Sequence, residues 1–78
     1  MSEYTLNDVA IGEKIKIKSI TATSSIKRRF MDIGLVENTE VECLGFSPCG
    51  DPISFLIRGA VIAIRRDDCK SILIYNNN

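Results

Sequence analysis

The 78-residue chain is 45% hydrophobic and 26% charged, the composition of an ordinary globular protein and not of a disordered segment. This length predicts one domain, near the lower limit at which a core sustains a fold without staples. Ten basic and ten acidic side chains cancel, which argues against a general polyanion binder, for which a strongly basic domain is expected.

Residues 1–34 hold six bases and four acids, and residues 35–78 hold four and six, so a local basic patch survives where a global one does not. The opening Met1-Ser2-Glu3-Tyr4 has neither a basic n-region nor an apolar h-region, which predicts a cytoplasmic location. The longest uninterrupted apolar run, Ala60 to Ile64, is far short of the ~20 residues that cross a bilayer, so no direct membrane insertion is expected. Cys43, Cys49 and Cys69 are odd in number and lack CxxC spacing, and a reducing cytosol keeps them as thiols.

In chain order, residues 1–12 carry Leu6, Val9 and Ile11, a lead-in whose apolar side chains are expected to close one end of the fold. Residues 13–20 alternate strictly, with Ile15 and Ile17 on one face and Lys14, Lys16 and Lys18 on the other: a half-buried strand with a basic outer face. Thr21 to Thr23 link it to residues 24–35, the only stretch with apolar residues at helical spacing, Ile26, Phe30 and Ile33 forming one stripe. Ser24 or Ser25 is expected as N-cap and Gly34 as the left-handed C′ residue. A helix of about ten residues is marginal alone in water, so it must dock. Its charges break a local rule. Lys27, Arg28 and Arg29 are read in the first turns and Asp32 in the last, each misplacement against the macrodipole costing roughly 0.3 to 1 kcal/mol. Such violations occur at functional or networked sites.

Residues 39–44 alternate again, Val41 and Cys43 facing one way and Glu40 and Glu42 the other, which predicts pairing with the lysine-bearing strand across the solvent face. Both prolines and two glycines fall in residues 45–52, a rigid loop. Residues 53–58 and 60–65 flank Gly59 as a tight hairpin. Ile53, Phe55, Ile57, Ile62 and Ile64 are expected to point inward, leaving Leu56, Val61 and Ala63 as a small apolar outer patch. Residues 66–70 allow a single helical turn, and residues 71–75 form a last strand able to pair with the first. Asn76 to Asn78 read as a frayed polar tail. The sum is a mostly β fold, a small SH3-like five-stranded barrel over residues 1–75 with one short helix after the first strand.

Catalysis is not supported: the chain has no histidine, no Gly-rich phosphate loop, and no serine or cysteine with an evident base partner. No cofactor is expected. For metal, only Cys49 in the loop stands as a weak candidate, because structural sites need about four convergent ligands and Cys43 reads as a core residue.

Three segments carry a resemblance: Arg29-Phe30-Met31-Asp32-Ile33-Gly34-Leu35, the loop Ser47-Pro48-Cys49-Gly50-Asp51-Pro52-Ile53, and Ile62-Ala63-Ile64-Arg65. In order and spacing, over residues 5–75, they resemble the ferrous iron transport protein A family, FeoA. Phe30 and Met31 stand in the leucine-rich part of the first motif, and Cys49 stands where an aliphatic residue is common. The resemblance implies an SH3-like barrel that serves in the cytoplasm as accessory to FeoB, the membrane ferrous iron transporter with a GTPase domain, by protein-protein contact. Self-association is compatible with that role. The same barrel resembles the C-terminal domain of iron-dependent repressors, a role disfavoured because these residues hold no helix-turn-helix. A small RNA-binding barrel is disfavoured by zero net charge and by Tyr4, Phe46 and Tyr75 being the conceivable stacking residues; no nucleic-acid partner is expected. For docking, the solvent face of the helix supplies Lys27, Arg28 and Met31, and the outer face of the hairpin supplies Leu56 and Val61.

Overall fold

A computed structural model describes residues 4–21 and 23–75, with Ser24 described by its backbone. After a 3-10 turn at Leu6–Asp8, the elements are β1 (Lys14–Ile20), α1 (Ser24–Asp32), β2 (Glu40–Phe46), β3 (Ile53–Ile57), β4 (Ala60–Ile64), α2 (Arg66–Cys69) and β5 (Ile72–Ile74). The strands form one antiparallel sheet in the order β4-β3-β2-β1-β5.

Period-2 patterning places the strands as expected. In β1, Ile15 and Ile17 are buried while Lys14, Lys16 and Lys18 are exposed. Lys14 lies opposite Glu42 and Lys16 opposite Glu40, the solvent-face pairing of β1 with β2. The β3–β4 hairpin turns on Arg58 and Gly59, both with positive φ (50° and 84°), the geometry of a two-residue type I′ turn. β5 pairs back onto β1, Ile74 opposite Ile17 and Ile72 opposite Ile20. β4 and β5 do not pair with one another, so the barrel stays open along that seam. The chain between them is spent on α2, and β5 has three residues to offer.

The core gathers Leu6, Val9, Ile15, Ile17, Val41, Cys43, Ile53, Phe55, Ile57, Ile64, Ile72 and Ile74, and α1 closes it with Phe30, assisted by the partly buried Ile26. Ile62 is partly buried against the same core. Ile11, expected to close the lead-in end, is 60% exposed, because the chain turns at Ile11 and Gly12 to enter β1.

The helix differs from its sequence reading in three ways. Its N-cap is Thr23, one residue earlier than Ser24, and makes no side-chain cap hydrogen bond. Arg29 falls in the last turn, where the macrodipole favours a cation, so the charge misplacement is smaller than the sequence suggested. Ile33 is the C-cap, φ −90° and ψ 5°, and is 36% exposed; Leu35, fully buried, takes its place in the core. The reason is a Schellman closure. Leu35 N–H donates to the Phe30 carbonyl at 2.9 Å and Gly34 N–H to the Met31 carbonyl at 3.0 Å, with Gly34 at φ 89°. This throws Leu35 back onto Phe30, and the helix exit is then tied to β2 by Thr39, whose hydroxyl donates to the Gly34 carbonyl and accepts from Val36 N–H. The expected tail, residues 76–78, lies outside the described residues.

Candidate docking site

The five candidate docking residues fall in separate places. Lys27 and Met31, one turn apart on α1, line a groove of about 280 Å³ together with Ser19 and Ile20 at the end of β1 and Leu35, Val36 and Glu37 in the exit from the helix. Met31 is 53% exposed and Val36 36% exposed, so the groove presents apolar atoms to water with Lys27 and Glu37 at its margin. Arg28 is exposed on the same helix but does not line this groove. Leu56, half-buried, lines a larger and more polar groove of about 450 Å³ with Lys14, Asn38, Thr39, Glu40, Glu42, Arg58 and Gly59. Val61, opposite Leu56 in the hairpin register, is 68% exposed and lies outside it.

The sequence reading missed Ser19, Ile20, Val36 and Glu37 as groove residues. Val36 carried the available signal: an apolar side chain in a link between periodic segments, with no strand or helix face to bury it. Ser19 and Ile20 end β1 and Glu37 lies in the exit from α1, and no local pattern encodes that these two segments meet beside the helix.

The loop at residues 47–52 proves to be an anchored structural turn. Ser47 donates through both its N–H and its hydroxyl to the Pro52 carbonyl, Gly50 N–H donates to the Ser47 carbonyl, and the Asp51-Pro52 bond is cis. Arg66 then clamps it. Its backbone N–H donates to Asp51 Oδ1 at 3.1 Å, its Nε to the Gly50 carbonyl, and its Nη1 to Asn7 Oδ1 at 2.8 Å, while its guanidinium lies 5.2 Å from the Phe46 ring centroid. Asp51 thereby serves an N-terminal N–H of α2, the task a cap residue would otherwise perform. Arg66 was not singled out in the sequence, since nothing local links it to residues 7 and 50.

The three cysteines are free, Cys43 and Cys69 buried and Cys49 exposed. Burial pushes the Cys69 thiol up to about 12, with Asp68 adding to it, and burial raises the Cys43 thiol as well. Neither is poised as a thiolate ligand or nucleophile. Among the described residues, no group of three or more Cys, Asp or Glu side chains converges as a metal site, and Cys49 stands alone. Also among the described residues, no helix is long and apolar enough to cross a membrane.

The family model of the FeoA domain matches residues 4–76. This chain belongs to the FeoA domain family. FeoA is linked to ferrous iron transport. In this chain the Schellman closure at Gly34 and the loop clamped by Arg66 hold the fold in shape. A FeoA-like protein from Clostridium acetobutylicum is 35% identical with a TM-score of 0.86, the match covering 100% of this chain and 92% of that one. FeoA from Chlorobium tepidum is 29% identical with a TM-score of 0.89, covering 96% of this chain and 71% of that one. FeoA of Stenotrophomonas maltophilia, described as a prokaryotic SH3 domain protein and solved with zinc, is 22% identical with a TM-score of 0.81, covering 92% and 89%; that likeness concerns the SH3-like fold. No curated protein matches the sequence.

Proposed function

We propose that this FeoA-family chain is a cytoplasmic accessory protein of bacterial ferrous iron uptake, acting by contact with the membrane iron transporter FeoB and its GTPase domain. The observation that carries the reading is the groove between α1 and its exit. It pairs an exposed, flexible Met31 and an exposed Val36 with a flanking cation, Lys27, on a helix whose other face is committed to the core through Phe30. Apolar anchors with a charged margin are the usual content of a protein-protein hot spot, and Met adapts its shape to the partner. Arg28, exposed one residue on, extends the basic margin beyond the groove.

The test is the pair Arg28→Glu with Met31→Asp. Both positions are exposed, so circular dichroism and melting should change by no more than about 0.5 kcal/mol. Pull-down of the transporter and iron uptake should fail. Normal uptake by this double variant, together with loss of uptake on Leu56→Asp in a folded protein, would move the docking site to the hairpin.

A further inference from the structure

The free edge of the sheet points to a second interaction surface, separate from the groove of α1. We propose that β4 binds an extended, acidic peptide segment of a partner protein by adding it to the sheet as a sixth strand.

Three observations lead there. First, β4 ends the sheet on one side, and its five residues, Ala60 to Ile64, are all apolar. Natural edges are ordinarily protected by a charge, a proline, a bulge or a covering element, and an unprotected edge is a template for another strand. The β3–β4 register runs without irregularity from Ile57↔Ala60 to Ile53↔Ile64, so no bulge twists this edge away.

Second, the register says which backbone groups are on offer. A two-residue turn makes Ile57 and Ala60 a hydrogen-bonded pair, and in an antiparallel ladder such pairs alternate with non-bonded ones. Ile62 and Ile64 therefore bond to β3, whereas Val61 and Ala63 direct N–H and C=O away from it. Neither of these two residues has another backbone partner among the described residues.

Third, a groove of about 310 Å³ runs beside this edge, floored by Phe30, Ile33, Ile62 and Ile64 and flanked by Arg29 on α1 and Arg65 at the end of β4. Asp68 also lines it, so the two guanidinium groups outweigh one carboxylate. Apolar side chains alternating with acids satisfy both features, the former entering the groove and the latter meeting Arg29 and Arg65.

The same charges disfavour a second copy of this chain. Antiparallel self-pairing of β4 would bring the Arg29 and Arg65 guanidinium groups of both copies to one seam, and none of the five residues of β4 is acidic to meet them.

The experiment uses the full chain, isotope-labelled for NMR, with two probes: an acetylated and amidated heptapeptide alternating Glu and Val, and its Lys-Val counterpart. The acidic peptide should slow hydrogen exchange of the Val61 and Ala63 amides by roughly tenfold or more at saturation and shift signals at Arg29 and Arg65, whereas the lysine peptide should bind at least about tenfold more weakly. Arg29→Glu with Arg65→Glu should reverse that preference in a chain that stays folded, with no more than the small drop in melting temperature that an acid in the last turn of α1 brings. Val61→Pro, which deletes one outward N–H, should weaken the acidic peptide while leaving the signals of β1 and β2 in place. Unprotected Val61 and Ala63 amides at saturating acidic peptide, equal affinity for both peptides, or protection that appears without peptide and grows with protein concentration would each overturn the proposal, the last in favour of self-pairing.

Discussion

The side chain of Arg58, at the tip of the β3–β4 hairpin, lies directly over Gly34 at the end of α1: a Cβ built on Gly34 would stand 2.5 Å from Arg58 Cδ. The helix exit and the hairpin tip, distant in sequence, thus meet at a point where one partner must lack a side chain. Gly34 is doubly constrained, since its φ of 89° also disfavours any L side chain. Gly59, at φ 84°, has only the conformational constraint, with nothing within 4 Å of its added Cβ.

Gly34→Ala and Gly59→Ala should therefore differ. Each should cost about 1 kcal/mol from its positive φ, and Gly34→Ala should cost more because Arg58 must swing aside. Urea melts of both variants, repeated in an Arg58→Ala background, measure this. There the excess cost at Gly34 should vanish; equal costs in the parent protein would show that the Arg58 contact has no energetic weight.

Arg66 should matter for stability more than an arginine at the surface. Arg66→Ala removes two side-chain hydrogen bonds and the contact with the Phe46 ring, and a loss of about 2 to 3 kcal/mol is expected. Arg66→Lys should recover less than half of it, because a point ammonium cannot reach Gly50 and Asn7 at once while covering the ring. Thermal melting of the two variants gives the answer, and near-parent melting of Arg66→Lys would contradict the fork geometry.

Thiol labelling should separate the cysteines. In the native protein a neutral-pH disulfide reagent should modify Cys49 alone in the fast phase, with Cys43 and Cys69 reacting on global unfolding, since both are buried and their thiolates disfavoured. Two or more equivalents released at once without denaturant would refute the burial of those side chains.

Alkaline pH should weaken the fold through the same groups. The Cys69 thiol has its pKa raised in the folded state from 9.0 to about 12, so folding favours the protonated form. The stabilisation is complete below about pH 9 and is lost as pH rises toward 12, at up to about 1.4 kcal/mol per pH unit for one group. Cys43 acts in the same direction. Unfolding free energy measured from pH 8 to 10.5 should fall more steeply in the parent protein than in Cys69→Ala, whatever the absolute stability of the variant; superimposable slopes would show that Cys69 is not the titrating group.

Much of this protein was determined by local sequence alone. The alternation of residues 13–20 and 39–44 placed Ile15, Ile17, Val41 and Cys43 inside and predicted that the lysine-bearing strand pairs with the glutamate-bearing one, because a strand's side-chain period of two ties burial directly to sequence position; the register, Lys14 opposite Glu42 and Lys16 opposite Glu40, came from the fold. Gly34 and Gly59 marked their turns because few residues tolerate positive φ there. Tertiary structure alone decided the rest. Arg66 reaches Asn7 across 59 positions, Leu35 displaces Ile33 from the core through a closure made by backbone hydrogen bonds, and the groove around Met31 draws walls from β1 and from the exit of α1. The pairing of the last strand with the first was expected from the sequence, but that β5 stops short of β4 and leaves the outer edge of β4 without a strand neighbour was decided by the fold. Periodicity records which face of an element is buried; it carries no record of which distant segment covers that face, and the surfaces that meet a partner are those the fold leaves uncovered.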